Sequence, residues 1–326
     1  MIEIGLLDWY NEKTKTVEES ISMYDTLIIG SGPAGMTAAL YAARSNIKVG
    51  IIEQGAPGGQ MNNTSDIENY PGYDRISGPE LAMNMYTPLE KFEVENIYGI
   101  VQRVEDAGAV KRVVTDDNTY EAKTVILATG AKHRTLGVTG EEEYTSRGVS
   151  YCAVCDGAFF RNQDLLVVGG GDSAVEEAVY LTQFAKSVTI IHRRDALRAQ
   201  KILQDRAFSN DKVHFIWDSV VKEIKGTDVK VSGVTIENVK TGEISEHDFG
   251  GIFIYVGIDP VSHMVADLGI TDEAGWVLTD EHMRTSIPGI FAIGDVRQKD
   301  LRQIATAVGD GAIAGQGVYQ YIENMS

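Results

Sequence analysis

The two cysteines of the chain, Cys152 and Cys155, stand three positions apart, and Asp156 follows at once. Cysteines at this spacing bind zinc, exchange electrons as a dithiol, or lie buried as small apolar residues. Zinc takes about four ligands, and the chain has no second cysteine pair and six histidines, none at ligand spacing nearby. No metal site is therefore expected, and redox chemistry is favoured. Sulfurs so close can form a disulfide, and one thiol of such a pair usually ionises below its ordinary range. Asp156 is in position to move protons as that bond opens and closes. Cys152, Cys155 and Asp156 are the candidate catalytic residues, set in an otherwise apolar and aromatic segment over 151–160.

Two glycine-rich turns carry the binding chemistry. Residues 25–53 and 164–192 align without a gap at an offset of 139, with Asp25 on Asp164, Gly30 on Gly169, Gly32 on Gly171 and Tyr41 on Tyr180. Each copy reads as an apolar strand, a turn, a helix and a second strand, the βαβ pattern of a parallel sheet. In the first copy Gly30, Gly32 and Gly35 form G-x-G-x-x-G, with Pro33 and Ala34 opening the helix. Glycine there permits a tight turn and lets a pyrophosphate approach bare backbone, while the helix start offers unpaired N–H groups. Glu53, 23 residues after Gly30 and followed by Gln54, is placed to accept from ribose hydroxyls.

The second copy has Gly169, Gly171 and Ala174, with Asp172 and Ser173 between, and the pattern allows Ala where smallness suffices. At the position of Glu53 stands His192, followed by Arg193 and Arg194, with Arg198 beyond. A carboxylate there would repel a 2′-phosphate, whereas arginines bind it, often bidentately. At about 1.5–3 kcal/mol each, two such bonds give roughly two to four decades of preference for NADP over NAD.

The elements that must position these groups fit an α/β chain with two Rossmann-like, three-layer domains. With 326 residues, 43% hydrophobic and 23% charged, the composition is globular and the length suits two domains. Lys and Arg number 29 against 47 Asp and Glu, and a net charge of −18 argues against nucleic acid and anionic membrane as partners. No apolar run approaches the roughly 18 residues of a membrane span, and the opening stretch is acidic, without a basic or apolar leader. A soluble, cytoplasmic protein is expected. Residues 1–22 read as a disordered or loosely docked extension, and Met23 could equally be a natural start.

The order of FAD-type fingerprint, Cys-x-x-Cys and NADP-type fingerprint resembles the low-molecular-weight thioredoxin reductases of bacteria and plants, from about Met23 to the C-terminus. The family's flavin-contacting segments are matched by Gly58-Gly59-Gln60, by Glu68-Asn69-Tyr70-Pro71-Gly72, by Ala128-Thr129-Gly130, and by Gly294-Asp295 with Arg302-Gln303 and Ile304. The resemblance implies that Asp295 bonds the ribityl chain and that the helix after Arg302-Gln303 points its start at the isoalloxazine. It further implies FAD and NADPH as cofactors, a hydride passing from NADPH to FAD, and reduced flavin opening a Cys152–Cys155 disulfide. The dithiol would then reduce thioredoxin, with Cys152 attacking, Cys155 nearer the flavin and Asp156 exchanging the proton. Family members are homodimers. Val154 stands where the family often has Thr, a change expected to be silent.

Other readings fit less well. The glutathione reductase class carries its cysteines soon after the FAD glycines, and residues 58–65 contain none. Ferredoxin– or flavodoxin–NADP reductases on this scaffold lack the dithiol, and peroxiredoxin-linked relatives add a dithiol domain in front. A flavin-bound redox sensor without turnover is the alternative from another class. The resemblance divides the chain into the extension 1–22, an FAD domain over 23–134 and 256–326, and an inserted NADPH domain with the dithiol over 135–255. Because the dithiol and the NADP turn share one domain while the flavin belongs to the other, both half-reactions call for a rotation about the crossings near Arg134 and Val256. A cross-link fixing the domains in either orientation should leave one half-reaction in stopped-flow, and full turnover in the locked protein would refute the rotation.

Overall fold

The computed structural model describes residues 23–64 and 67–325, so the extension expected over 1–22 lies outside the described residues. They form two compact units, one built from the chain up to Gly59, Ala82–Gly130 and Pro260 onward, the other from Gln60–Leu81 and Ala131–Asp259. The divisions thus fall four residues from those drawn on the sequence, and 60–81 groups with the second unit.

The first unit opens with β1 (Tyr24–Ile29), α1 (Pro33–Arg44) and β2 (Val49–Glu53). After α2 (Gly78–Tyr86), which enters this unit at Ala82, come β3 (Glu95–Tyr98), β4 (Val101–Ala107), β5 (Val110–Thr115) and β6 (Thr119–Leu127). The sheet runs β3-β2-β1-β6-β5-β4, parallel as far as β6 and antiparallel beyond.

In the second unit β7 (Ala131–His133) precedes β8 (Val149–Ser150), α3 (Ala153–Asp156), β9 (Asp164–Gly169), α4 (Asp172–Leu181) and β10 (Ser187–Ile191). Then follow α5 (Lys201–Phe208), β11 (Val213–Ile216), β12 (Ser219–Gly226), β13 (Val231–Asn238), β14 (Ile244–Asp248), β15 (Gly251–Tyr255) and β16 (Ile258–Pro260). Strands β11-β10-β9-β15-β8 form an all-parallel sheet. Such sheets are covered on both faces, which is why β9 reads as the unbroken apolar run Leu165–Val168. Leu165 and Val167 pack with Ala174, Val175 and Ala178 of α4, whereas Leu166 and Val168 pack with Val221, Ile224, Val234 and Ile236 of the antiparallel β12-β13-β14 sheet. That alternation makes three layers. The crossings expected near 132–135 and 255–257 meet in a β7–β16 ribbon, pinned by Arg134 N donating to Gly257 O at 3.0 Å and by the Arg134–Asp259 ion pair at 2.5 Å.

The chain ends in the first unit with β17 (Ile290–Ala292), parallel to the second half of β6, and α6 (Ile304–Glu323). Helices α1 and α6 touch through backbone, because a Cβ on Gly311 would stand 2.4 Å from Ala34 O and one on Gly315 2.6 Å from Ala38 O. This fixes where α1 begins.

Both fingerprint turns start from a glycine in the left-handed region, Gly30 at φ +102° and Gly169 at φ +152°. They differ at the third position. A Cβ on Gly35 would lie 1.9 Å from Gly30 O, whereas Ala174 keeps its methyl and is fully packed. Gly35→Ala is therefore expected to destabilise by about 1–3 kcal/mol through overpacking, while Ala174→Gly costs about 1 kcal/mol or less. Urea unfolding of the two variants checks this, and equal midpoints would refute it.

Candidate active site

Strand β8 delivers the chain to Cys152, which caps α3, and Cys152 and Cys155 are joined in a disulfide with Cα atoms 5.3 Å apart. Cys155 N donates to Cys152 Sγ at 3.2 Å, and Asp156 N donates to Cys152 O at 3.1 Å. Ser150 Oγ donates to Asp156 Oδ2 at 2.6 Å and accepts from Cys152 N at 3.1 Å. One hydroxyl thus ties the candidate proton-transfer acid to the backbone of a reacting cysteine. From the other side the Tyr255 hydroxyl accepts Ala153 N–H at 2.6 Å. Ala153 is buried and Val154 exposed, so the Thr-to-Val departure falls on a surface position.

In the first unit Gly32 caps α1 with no side-chain cap and no acid in the first turn, so the helix start keeps donors for an anion. A Cβ on Gly32 or on Gly130 would meet nothing within 4 Å, which leaves open space against the turn where a ligand backbone fits. Glu53 ends β2 as expected, but its carboxylate is already held: Oε2 accepts from Ser31 N and Oγ at 2.8 and 3.0 Å, and Oε1 from Gln54 N and Gly55 N at 2.8 and 3.0 Å. It braces the turn. Gly58 N donates to Ser31 O at 2.9 Å, and Gly59 packs against Gly32. Thr129 Oγ1 donates to Val261 O at 2.5 Å.

Later in the chain but against the start of α1, where a Cβ on Gly294 would stand 3.0 Å from that of Ala34, Asp295 Oδ1 is buried and has no hydrogen-bond partner among the described residues. Burial pushes its carboxyl up, against the pull of Lys299 and Arg302. A buried acceptor in that state fits a hydroxyl donor such as a ribityl chain. Buried Asp310 holds the turn by accepting Gly294 N at 3.0 Å, and it is neutralised by Arg297 at 3.0 Å and Lys299 at 2.9 Å. Arg302 lies 3.9 Å over the Trp276 ring, and Gln303 caps α6 just before Ile304. Gln60 and Asn69 belong to the second unit, where Gln60 Nε2 donates to Ala131 O at 3.2 Å.

The second turn repeats the first with changed partners. Gly171 caps α4 with open space at its Cβ position. Asp172 is turned aside, accepting Gln200 N at 2.7 Å and Gln200 Nε2 at 3.1 Å, while Ser173 is exposed. His192 is buried with its ring where a Cβ on Gly170 would stand 2.5 Å from Nδ1. Its Nε2 lacks a partner among the described residues. Burial lowers its pKa, and the charges of Arg198, Arg194 and Arg193 lower it further. Arg198 N donates to Gly170 O at 2.7 Å, which ties the basic loop to the glycine turn. Arg193, Arg194 and Arg198 are exposed, and nearby Asp195 is held by Lys240 at 3.1 Å, so three guanidiniums stay available to an anion. These residues fit a phosphorylated dinucleotide.

Two nucleotide-type folds with a cysteine pair beside the second turn define a disulfide oxidoreductase. A profile described as pyridine nucleotide-disulphide oxidoreductase matches residues 24–311, and the chain belongs to that family. Within it the chain groups with the bacterial thioredoxin reductases. It is 56% identical over 308 residues to the thioredoxin reductase of Listeria monocytogenes, covering 94% of this chain and 96% of that one. It is 54% identical to that of Bacillus subtilis over 94% of this chain and 97% of the relative. The crystal structure of thioredoxin reductase from Streptococcus pyogenes MGAS5005 superposes with a TM-score of 0.91 at 80% identity, covering 93% of this chain and 99% of that one. Membership implies a flavin and a pyridine nucleotide as cofactors. Among the described residues no group of side chains could hold a metal ion, and no helix is long and apolar enough to cross a membrane.

Sequence reasoning missed Ser150, Tyr255, Gly170 and Asp310. Gly170 carried a signal, since its counterpart Ser31 touches the strand-end residue in the same way. Tyr255 carried none, lying 102 positions from the N–H it binds.

Proposed function

We propose that the chain is an NADPH-dependent thioredoxin-disulfide reductase that carries FAD and works as a cytoplasmic homodimer. The observation that carries the reading is the Cys152–Cys155 disulfide standing in the same compact unit as the arginine-flanked glycine turn. Bound FAD supplies a two-electron link between nicotinamide and sulfur. The protein's part is to hold both nucleotides at helix starts, with Arg193, Arg194 and Arg198 on the 2′-phosphate and Asp295 on the flavin's hydroxyl chain. In the dithiol state the Cys152 thiolate attacks the acceptor disulfide, forming a mixed disulfide and expelling one acceptor thiolate. Cys155 then attacks Cys152 Sγ, which restores the intramolecular bond and releases the second thiolate. Asp156, oriented by Ser150, takes the Cys155 proton and passes it to the leaving sulfur. Both cysteines of the chain are used in the dithiol, so the electrons leave to a separate protein.

Replacing Arg193 and Arg194 with neutral residues should raise the KM for NADPH by about two to four decades and leave that for NADH nearly unchanged. Equal losses with both nucleotides in steady-state assays would show that these arginines do not read the 2′-phosphate.

Cys152→Ser and Cys155→Ser should each abolish thioredoxin reduction while the yellow flavin stays bound and still bleaches with NADPH. Disulfide reductase activity persisting in either variant, or efficient peroxide or ferredoxin reduction by the unaltered protein without thioredoxin, would sink the reading.

A further inference from the structure

The arginine loop has a neighbour from the antiparallel sheet that the chemistry above leaves unused. Lys240 stands in the turn between β13 and β14, and its Nζ lies 3.1 Å from Asp195 Oδ2 and 3.0 Å from Asp218 Oδ2. The turn that presents it is pinned, because Asn238 Oδ1 accepts Lys240 N and Thr241 N at 3.0 and 3.1 Å and Asn238 N donates to Glu243 O at 2.9 Å. Both carboxylates flank Arg194. Asp195 is the next residue in the chain, and Asp218 N donates to Arg194 O at 3.2 Å. Asp218 turns the chain from β11 into β12 in the left-handed region, at φ +52°, and its carbonyl accepts Val239 N at 2.6 Å. One further bond, from Ser219 N to His192 O at 3.1 Å, ties that turn to the start of the arginine loop. Hairpin, turn and loop thus brace one another, with the Lys240 ammonium joining all three.

Two carboxylates beside three guanidiniums would pair with them and offset the positive charge that a 2′-phosphate needs. Lys240 engages both. We propose that Lys240 is a positioning residue that sets nucleotide specificity: by holding Asp195 and Asp218 it keeps Arg193, Arg194 and Arg198 available to the 2′-phosphate. The inference rests on the NADPH reading above. Its physical content is local charge and not stability, since exposed ion pairs contribute little to folding, and the side chains of Lys240 and Asp195 are 58% and 74% exposed. Asp218, with 17% of its side chain exposed, is the acid that salt screens least. In that reading the pyrophosphate common to both nucleotides belongs to the start of α4, so a change of charge in the arginine loop acts on the nucleotide with the extra phosphate.

The test is steady-state thioredoxin reduction with NADPH and with NADH by the flavin-loaded wild type, Lys240→Met, Lys240→Arg, and Lys240→Met combined with Asp195→Asn, alongside their urea midpoints. Lys240→Met should raise the KM for NADPH by about two- to fivefold for each acid released, with kcat and the KM for NADH nearly unchanged. Lys240→Arg should keep the wild-type KM. Adding Asp195→Asn should restore part of what Lys240→Met loses, because one of the unmasked charges is then gone. Raising the salt should narrow the gap between Lys240→Met and the wild type, as screening requires. A lysine that only holds the fold would instead lower the urea midpoint and raise both KM values together. That result, or an unchanged KM for NADPH in Lys240→Met, overturns the inference while the wild type still prefers NADPH. The NADPH reading fails separately, and the inference with it, if the wild type shows no preference for NADPH over NADH.

Discussion

In the first glycine turn the carbonyl of Gly30 lies where a Cβ on Gly35 would stand 1.9 Å away, so the end of β1 and the start of α1 meet through bare backbone. The position of the helix start, and therefore of its unpaired N–H groups, is set by that contact. Neighbouring features reinforce it. Glu53 ties the turn to the end of β2 through Ser31, and Gly311 and Gly315 let α6 lie directly on α1. In the second unit His192 against Gly170 and Arg198 N on Gly170 O do the work of Glu53 and Ser31, with an imidazole in place of a carboxylate. One mechanical solution is used twice, with a different residue at the strand end.

That substitution also solves an electrostatic problem. A chain with net charge −18 repels an anion at long range, so a nucleotide carrying an extra phosphate needs a local field of the opposite sign. Arg193, Arg194 and Arg198 supply it at the surface, and Lys240 holds Asp195 so that the nearest acid does not cancel them. The same arginines, together with burial, keep His192 neutral, so the ring packs against Gly170 without bringing a charge into the turn. At the other nucleotide turn Glu53 meets no such cluster, and its charge is spent on four N–H and O–H donors of the loop.

How much of this could be read from the chain follows from the range of each interaction. The two βαβ units were legible because strand, turn and helix are local and write themselves as apolar runs and glycine spacing, down to the matched Asp25 and Asp164 in the first two positions of β1 and β9. The dithiol was legible because its chemistry fits in five residues. The β12-β13-β14 sheet was not named, because its role, covering Leu166 and Val168, depends on which face of β9 lacks helices. Asp310 was hidden for a similar reason: on α6 it looks like a solvated acid, and its contact with Gly294 N depends on how the helix lies over the turn. The grouping of 60–81 with the second unit contradicted no motif, since the quoted segments around Gln60 and Asn69 describe what they touch in a family and not where they pack.

Buried polar atoms without partners give an independent view of the same places. Such an atom costs about 1–3 kcal/mol, so it persists where something outside the resting fold satisfies it. Among the described residues four side-chain atoms are in this state, Asp295 Oδ1, His192 Nε2, Glu177 Oε2 and Thr26 Oγ1. Asp295 lies on the turn held by Asp310, His192 at the start of the arginine loop, Glu177 on α4, against which α3 packs, and Thr26 inside β1. Two of the four, Asp295 and His192, fall on the turns that the proposed function assigns to the two nucleotides. At Asp295 and His192 the motif spacing and the unpaired atoms point to the same residues.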